Sequence, residues 1–166
     1  MLKYLLTDNL ISKQQHGFLS RRSTATNLIE SLNDWTVKME NRQGQSVAYI
    51  DFAKAFDSVS HPKLLTKLGA YGIGGVLLNW ISDFLTGRSH VTRVGHCLSP
   101  ITFITSGVIQ GSCLGPLLFL LYINDLAEAI SAVATMKLYA DDVKLYSNMS
   151  AVPTNANVFK AVYTVN

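Results

Sequence analysis

The sequence predicts an α+β fold. Three observations point there. A helix-spaced apolar pattern comes early, at Leu28, Leu32, Trp35 and Met39. A short run of strand-forming residues, Val47-Ala48-Tyr49-Ile50, ends at Asp51. Near the end, Met136–Tyr139 and Val143–Tyr146 flank Ala140-Asp141-Asp142 and read as the two arms of a β-hairpin. The order helix, strand, helices, ribbon, helix, hairpin is that of an α+β domain. With 166 residues, 48% of them hydrophobic and 15% charged, the chain supports a packed core and is not disordered.

Each element has a local reason. Residues 3 to 22 are a short apolar piece followed by a polar turn, Gln14-Gln15-His16-Gly17-Phe18. The first long helix follows Arg21-Arg22; Ser23, Thr24 or Asn27 can cap it, and Asn27 with Glu30 has capping-box spacing. Its apolar face is expected to pack inward, and Gly44 punctuates its end. Residues 46 to 52 are expected as a buried strand. Ala53 to Asp57 look like the start of a helix. Another begins at His61-Pro62, where proline suits the first turn, and a third carries Leu77, Leu78, Ile81, Phe84 and Leu85 and stops at Gly87. From Arg88 to Thr105 the period shortens to that of a two-stranded ribbon around Gly95 and Pro100. A glycine-punctuated loop, Ser106 to Ser112, opens a long, largely buried helix expected from Leu114 to about Ile130. After Ser150 the pattern dissolves.

The bulk numbers exclude several classes. Two cysteines, Cys97 and Cys113, are too few for a disulfide scaffold, and no histidine grouping forms a metal motif. The N-terminus does not read as a signal peptide, and Leu114–Ile123 is too short to span a bilayer, so an intracellular protein, in nucleus or cytoplasm and not secreted, is expected. Asn148-Met149-Ser150 is a chance glycosylation sequon in that setting. A net charge of +3 permits a polyanionic partner without demanding one.

The chemistry gathers round the hairpin. Adjacent Asp141 and Asp142 repel unless something positive sits beside them. Asp51 ends a strand; if that strand pairs beside the hairpin, three carboxylates converge on one edge. Such a set suits two divalent cations, Mg²⁺ above all, completed by substrate phosphates. The chemistry is then in-line attack at phosphorus, which serves a nuclease as well as a polymerase. Lys54 and Ala55 near a helix N-terminus would favour a phosphate. Phe56 is placed to contact a sugar, and Gln110-Gly111 offers an amide and approachable backbone. Taken alone, Phe56 reads as core packing and Gln110 as a loop amide.

At these residues the sequence resembles a known family. Tyr49-Ile50-Asp51-Phe52-Ala53-Lys54-Ala55-Phe56-Asp57-Ser58-Val59 is similar to motif A of reverse transcriptases from non-LTR (LINE-type, jockey/CR1-like) retrotransposons. Ser106 to Pro116 with Leu117–Leu126 resembles their motif B, and Tyr139-Ala140-Asp141-Asp142 their motif C. Gln15-His16-Gly17-Phe18 through Ser23-Thr24 is similar to the segment that precedes motif A.

The resemblance implies a right-hand polymerase palm with part of the fingers and no thumb. Residues 1–45 would be a partial fingers segment, 46–150 the palm with a fingers insertion near 88–105, and 151–166 a divergent tail. Asp51 and Asp141 would be the main catalytic metal ligands, with Asp142 assisting and the Phe52 carbonyl as a further ligand; the ions would be two Mg²⁺, with Mn²⁺ as substitute. Phe56 would exclude a ribose 2′-hydroxyl. Gln110 and Gly111 would contact the incoming deoxynucleoside triphosphate, and Lys54 and Ala55 its phosphates. Arg21 and Arg22 would approach nucleic acid; Asp57 is assigned no metal. The expected activity is RNA-directed DNA synthesis on an RNA template from a DNA primer, without a membrane partner. The family's arginine-bearing fingers motif, lysine-bearing motif D and thumb are not matched, so a partial or decayed copy is expected. The alternatives are an inactive remnant or RNA-binding palm module, and a two-metal nuclease.

Overall fold

The computed structural model describes residues 1–148. The sequon continues beyond them, and the tail 151–166 lies outside the described residues. In chain order the elements are α1 (Leu2–Thr7), α2 (Thr24–Glu40), β1 (Gln45–Ile50), α3 (His61–Ala70), α4 (Gly75–Leu85), β2 (Ser89–His90), β3 (Arg93–Val94), β4 (Cys97–Leu98), β5 (Thr102–Phe103), α5 (Gly115–Ile123), α6 (Leu126–Ile130), β6 (Thr135–Tyr139) and β7 (Asp142–Asn148). Helices and strands are mixed, as the sequence predicts. The chain forms two compact units, one of Met1–Ala53 with the residues from Ile123 on, the other of Lys54–Tyr122.

The first unit is built on an antiparallel three-stranded sheet in the order β1-β7-β6. The hairpin is present: Tyr139 pairs with Asp142, Leu138 with Val143 and Met136 with Leu145. β1 joins the other side of β7, with Ile50 opposite Val143 and Ala48 opposite Leu145. Because strand side chains alternate, Met136, Leu138, Val143 and Leu145 share one buried face. Buried Leu126 and Ile130 of α6, which packs on β6, belong to the same core. The opposite face carries Lys137, Lys144 and Tyr146, and α2 packs across it. Beyond β6, residues 14–16 run parallel to it: the Leu138 amide donates to the Gln14 carbonyl (2.9 Å) and the His16 amide to the Leu138 carbonyl (2.8 Å).

In the second unit α3 packs against α4. Leu64, Leu68, Ile81 and Leu85 are fully buried, as amphipathic helices require. The expected ribbon exists as two short antiparallel pairs, β2 with β5 and β3 with β4, turning at Gly95 (φ 60°). On α5, Leu118, Phe119, Leu120 and Leu121 are all buried, consistent with a helix that is apolar all round.

Four expectations need correction. The α2 face that packs inward is polar: Asn27 and Ser31 are buried, while Leu28 (49% exposed), Leu32 (47%) and Met39 (73%) face outward. The sheet face beneath it is rich in lysine, so polar groups win the inner side. Ser23, one of the three expected caps, does cap α2, but the capping box is Ser23 with Thr26 and not Asn27 with Glu30: Ser23 Oγ accepts from the Thr26 amide and Thr26 Oγ1 from the Ser23 amide. Among the described residues β1 is an edge strand, paired with β7 alone, and Val47 and Tyr49 are exposed. A continuous apolar run does not distinguish an edge from a centre. The long helix from Leu114 is two helices, broken at Asn124-Asp125. Asn124 Nδ2 donates to the Leu10 carbonyl (2.8 Å) and its Oδ1 accepts from the Ser12 amide (2.8 Å), tying the break to the chain after α1.

Candidate active site

The antiparallel register places the hairpin acids. Tyr139 and Asp142 are the last paired residues of the hairpin, so Ala140 and Asp141 form a two-residue loop. Ala140 adopts φ 56°, a conformation that favours glycine. On the other side of β7 the last pair is Ile50 with Val143. Asp51 follows at once, which sets it level with Asp142. Asp51 and Asp142 are exposed, Asp141 is partly buried, and Phe52 is half-buried beside Asp51. Asp51 and Asp142 line one cavity of about 310 Å³, together with Tyr49, Tyr139, Lys137 and Lys144.

The two lysines were not anticipated as part of this site. A hairpin register that pairs Tyr139 with Asp142 necessarily pairs Lys137 with Lys144, which is where the signal lay. Directly opposed like charges are unfavourable, and α2 offsets them. Lys137 Nζ donates to Glu30 Oε2 (2.7 Å). Lys144 Nζ donates to Ser31 Oγ (3.2 Å) and Asn27 Oδ1 (3.4 Å) and lies 5.6 Å from the Trp35 ring centre. Burial, with Lys137 beside it, lowers the affinity of Lys144 for its proton. Burial pushes the Glu30 carboxyl up, but the hydrogen bond and charge of Lys137, with His16 and Arg22, hold it below the usual value. Tyr146 donates to Asp34 (2.5 Å) at the far end of this layer; burial and that carboxylate push its hydroxyl far above the usual tyrosine range.

Of the two arginines, Arg21 is exposed with φ 63°. Arg22 is engaged internally: Nη1 donates to the Lys13 carbonyl (2.6 Å) and to His16 Nε2 (3.2 Å). His16 is 1% exposed, and its Nδ1 lies 2.9 Å from Thr26 Oγ1. A neutral ring with its proton on Nδ1 satisfies both contacts. Burial lowers its pKa, against the raising effect of Glu30.

In the second unit, Phe56 stacks on Phe119 (ring centres 4.1 Å apart, planes at 20°). Its carbonyl accepts from the Val108 amide (2.9 Å), and the Val59 carbonyl from the Gly107 amide (2.8 Å). Gly107 has φ 90°, and a Cβ there would lie 2.9 Å from the Asp57 backbone, so only glycine lets the two loops meet. Gln110 Nε2 donates to Asp57 Oδ1 (2.8 Å) and Ser106 Oγ to the Asp57 carbonyl (2.8 Å). Gln110 and Asp57 line a cleft of about 520 Å³ with Arg88, His90 and Phe103 at its wall. Gly111 follows with φ 81°. The expected helix at 53–57 is instead a run of turns: Lys54 has φ 53°, and its carbonyl accepts from the amides of Asp57 and Ser58 (2.9 Å each). Lys54 and Ala55 therefore do not stand at the start of an α-helix.

The donor chemistry of the first unit suits a divalent cation, since carboxylate and carbonyl oxygens are what hard cations take. Among the described residues no three His, Cys, Asp or Glu side chains are grouped to hold a metal ion. The shared cavity joins Asp51 and Asp142, with Asp141 in the adjoining turn. No helix among the described residues is long and apolar enough to cross a membrane.

Comparison with known proteins identifies the family. Residues 1–163 match the reverse transcriptase (RNA-dependent DNA polymerase) family. The RNA-directed DNA polymerase from mobile element jockey of Drosophila funebris is 31% identical over 151 residues, covering 86% of this chain and 16% of that protein. The probable RNA-directed DNA polymerase from transposon X-element of Drosophila melanogaster is 26% identical over 134 residues, covering 79% of this chain and 15% of its own length. The chain thus spans about a sixth of these relatives. Among solved structures, apo telomerase from Candida Tropicalis truncated from its C-terminal domain matches with a TM-score of 0.64 at 12% identity, over 99% of this chain and 34% of that one. That likeness is one of fold.

Proposed function

We propose that this chain, which belongs to the reverse transcriptase (RNA-dependent DNA polymerase) family, is the palm portion of a mobile-element polymerase that extends a DNA primer on an RNA template. The observation that carries the reading is the β1-β7-β6 register, which sets Asp51 level with Asp142 at the hairpin tip. Asp51, Asp141 and Asp142, with the Phe52 carbonyl, would hold two divalent cations, Mg²⁺ or Mn²⁺. The chemistry those residues would recruit is activation of the primer 3′-hydroxyl and neutralisation of the triphosphate charge. Lys137 and Lys144, in the cavity with Asp51 and Asp142, add positive charge where phosphates would lie.

In the second unit the roles come from the family resemblance alone. Phe56, whose ring stacks on Phe119 and whose carbonyl accepts from the Val108 amide, would exclude a ribose 2′-hydroxyl. Gln110, oriented by Asp57, and Gly111 would meet the incoming nucleotide, with the Lys54 and Ala55 amides toward its phosphates. Of the two arginines, exposed Arg21 would face nucleic acid, because Arg22 donates to the Lys13 carbonyl and to His16. Primer extension on an RNA template, with the chain alone, tests the reading. Short, cation-dependent addition that disappears in Asp141→Asn is expected. Strand cleavage without nucleotides, or addition unchanged by Asp141→Asn, would count against it.

A further inference from the structure

The polar turn Gln14-Gln15-His16-Gly17 reaches across 125 residues to the loop that carries Asp141. Gln15 is 2% exposed, and both polar atoms of its side-chain amide contact that loop. Its Oε1 accepts from the Ala140 amide (2.8 Å) and from the Gly17 amide (2.7 Å), and its Nε2 faces the Ala140 carbonyl at 3.4 Å. One buried side chain thus grips both backbone groups of one residue. That residue is the one in a conformation alanine disfavours, with φ 56°. Such a conformation persists only where its surroundings over-determine it.

Gly17 closes the grip from the other side. A Cβ at position 17 would fall on the Ala140 amide nitrogen and lie 3.0 Å from its Cα. Any side chain there pushes the turn outward. The backbone bonds between Leu138 and residues 14 and 16 set the register of the clamp. A hairpin of this loop length ordinarily solves the problem with glycine in the loop itself. Here the sequence keeps Ala140 and supplies the constraint from outside.

We infer that Gln15 and Gly17 are positioning residues for Asp141: they fix the Ala140 turn and with it the direction of the adjacent carboxylate. The inference rests on the reading of Asp141 as a cation ligand. Neither residue touches substrate or ion; both act through Ala140. Losing the clamp lets the loop relax, and the carboxylates must then be ordered when a cation binds.

Mn²⁺ titration calorimetry on the full chain tests it, with urea unfolding of each variant alongside. Gln15→Met keeps the length and loses the bonds; Gly17→Ala keeps the Gln15 amide and displaces the turn. Both are expected to weaken Mn²⁺ binding by about fivefold or more, on the scale of one lost hydrogen bond. Leu5→Ala, a core change on α1, lowers stability and leaves binding of the folded chain unchanged. Binding retained in both clamp variants while Asp141→Asn loses it overturns the positioning role and spares the cation site. Equal weakening in Leu5→Ala also overturns it. Binding indifferent to Asp141→Asn overturns the cation site itself. Should the clamp variants fail to fold, amide exchange in the unmodified chain decides. The Ala140 amide is expected to exchange about a hundredfold or more slower than an open amide, and exchange at the open rate defeats the clamp.

Discussion

Ser31→Leu and Leu32→Gln make opposite predictions from sequence and from structure. By apolar periodicity Leu32 faces the core and Ser31 does not. In the structure Ser31 is 0% exposed and Leu32 is 47% exposed. Ser31 Oγ donates to the Asn27 carbonyl (2.9 Å) and accepts from Lys144 Nζ (3.2 Å). Leucine there overpacks a closed site, which costs about 1–3 kcal/mol. It also takes an acceptor from a partly buried ammonium, for roughly 1 kcal/mol more. Ser31→Leu should therefore destabilise by about 2–4 kcal/mol, summing these terms. Leu32→Gln gives up only about half of a leucine's burial, at most about 1 kcal/mol. With a urea slope of about 1.5 kcal/mol/M, the midpoints fall by about 2 M and by less than about 0.7 M respectively. Equilibrium urea unfolding followed by tryptophan fluorescence reads both. A larger loss for Leu32→Gln than for Ser31→Leu would refute the polar packing of α2 on the sheet.

Other outcomes follow from single contacts. His16 has a lowered pKa in the folded chain, so it binds fewer protons there than when unfolded. Its contribution is full above the ordinary value of 6.5 and is lost as pH falls below it. The urea midpoint should drop as pH falls below 6.5, and His16→Gln should flatten that drop. Tyr146 is pushed above its ordinary value of 10.0, so ultraviolet titration should show one tyrosine resisting ionisation until the chain unfolds; Tyr146→Phe should remove that component. Phe119 is 2% exposed and stacks on Phe56. Phe119→Ala should cost about 3–5 kcal/mol in urea unfolding. Phe56→Val, assayed by nucleotide incorporation, should raise the use of ribonucleotides relative to deoxynucleotides.

Much of this was legible from local pattern. The hairpin at Thr135–Asn148, the helices at His61–Ala70 and Gly75–Leu85, and the ribbon around Gly95 all follow period and punctuation. The motifs that bear Asp51, Asp141 and Asp142 were legible through the family resemblance. What escaped was decided by partners distant in sequence. Nothing around Ser31 or Asn27 announces that lysines will lie beneath them. Nothing in Gln15 predicts Ala140, because the pairing exists only once residues 14–16 align beside β6. Asn124-Asp125 breaks a strongly apolar helix through bonds to Leu10 and Ser12, which no window around residue 124 contains. Lys54 at φ 53° turned an expected helix start into a run of turns.

The central claim is that Asp51, Asp141 and Asp142 form one cation platform at the end of the β1-β7-β6 sheet. Calorimetric titration of Mn²⁺ into the chain and into Asp51→Asn, Asp141→Asn and Asp142→Asn tests it directly. The account predicts saturable binding in the unmodified chain that each substitution weakens, with folding unchanged. Identical isotherms for all four proteins would contradict it.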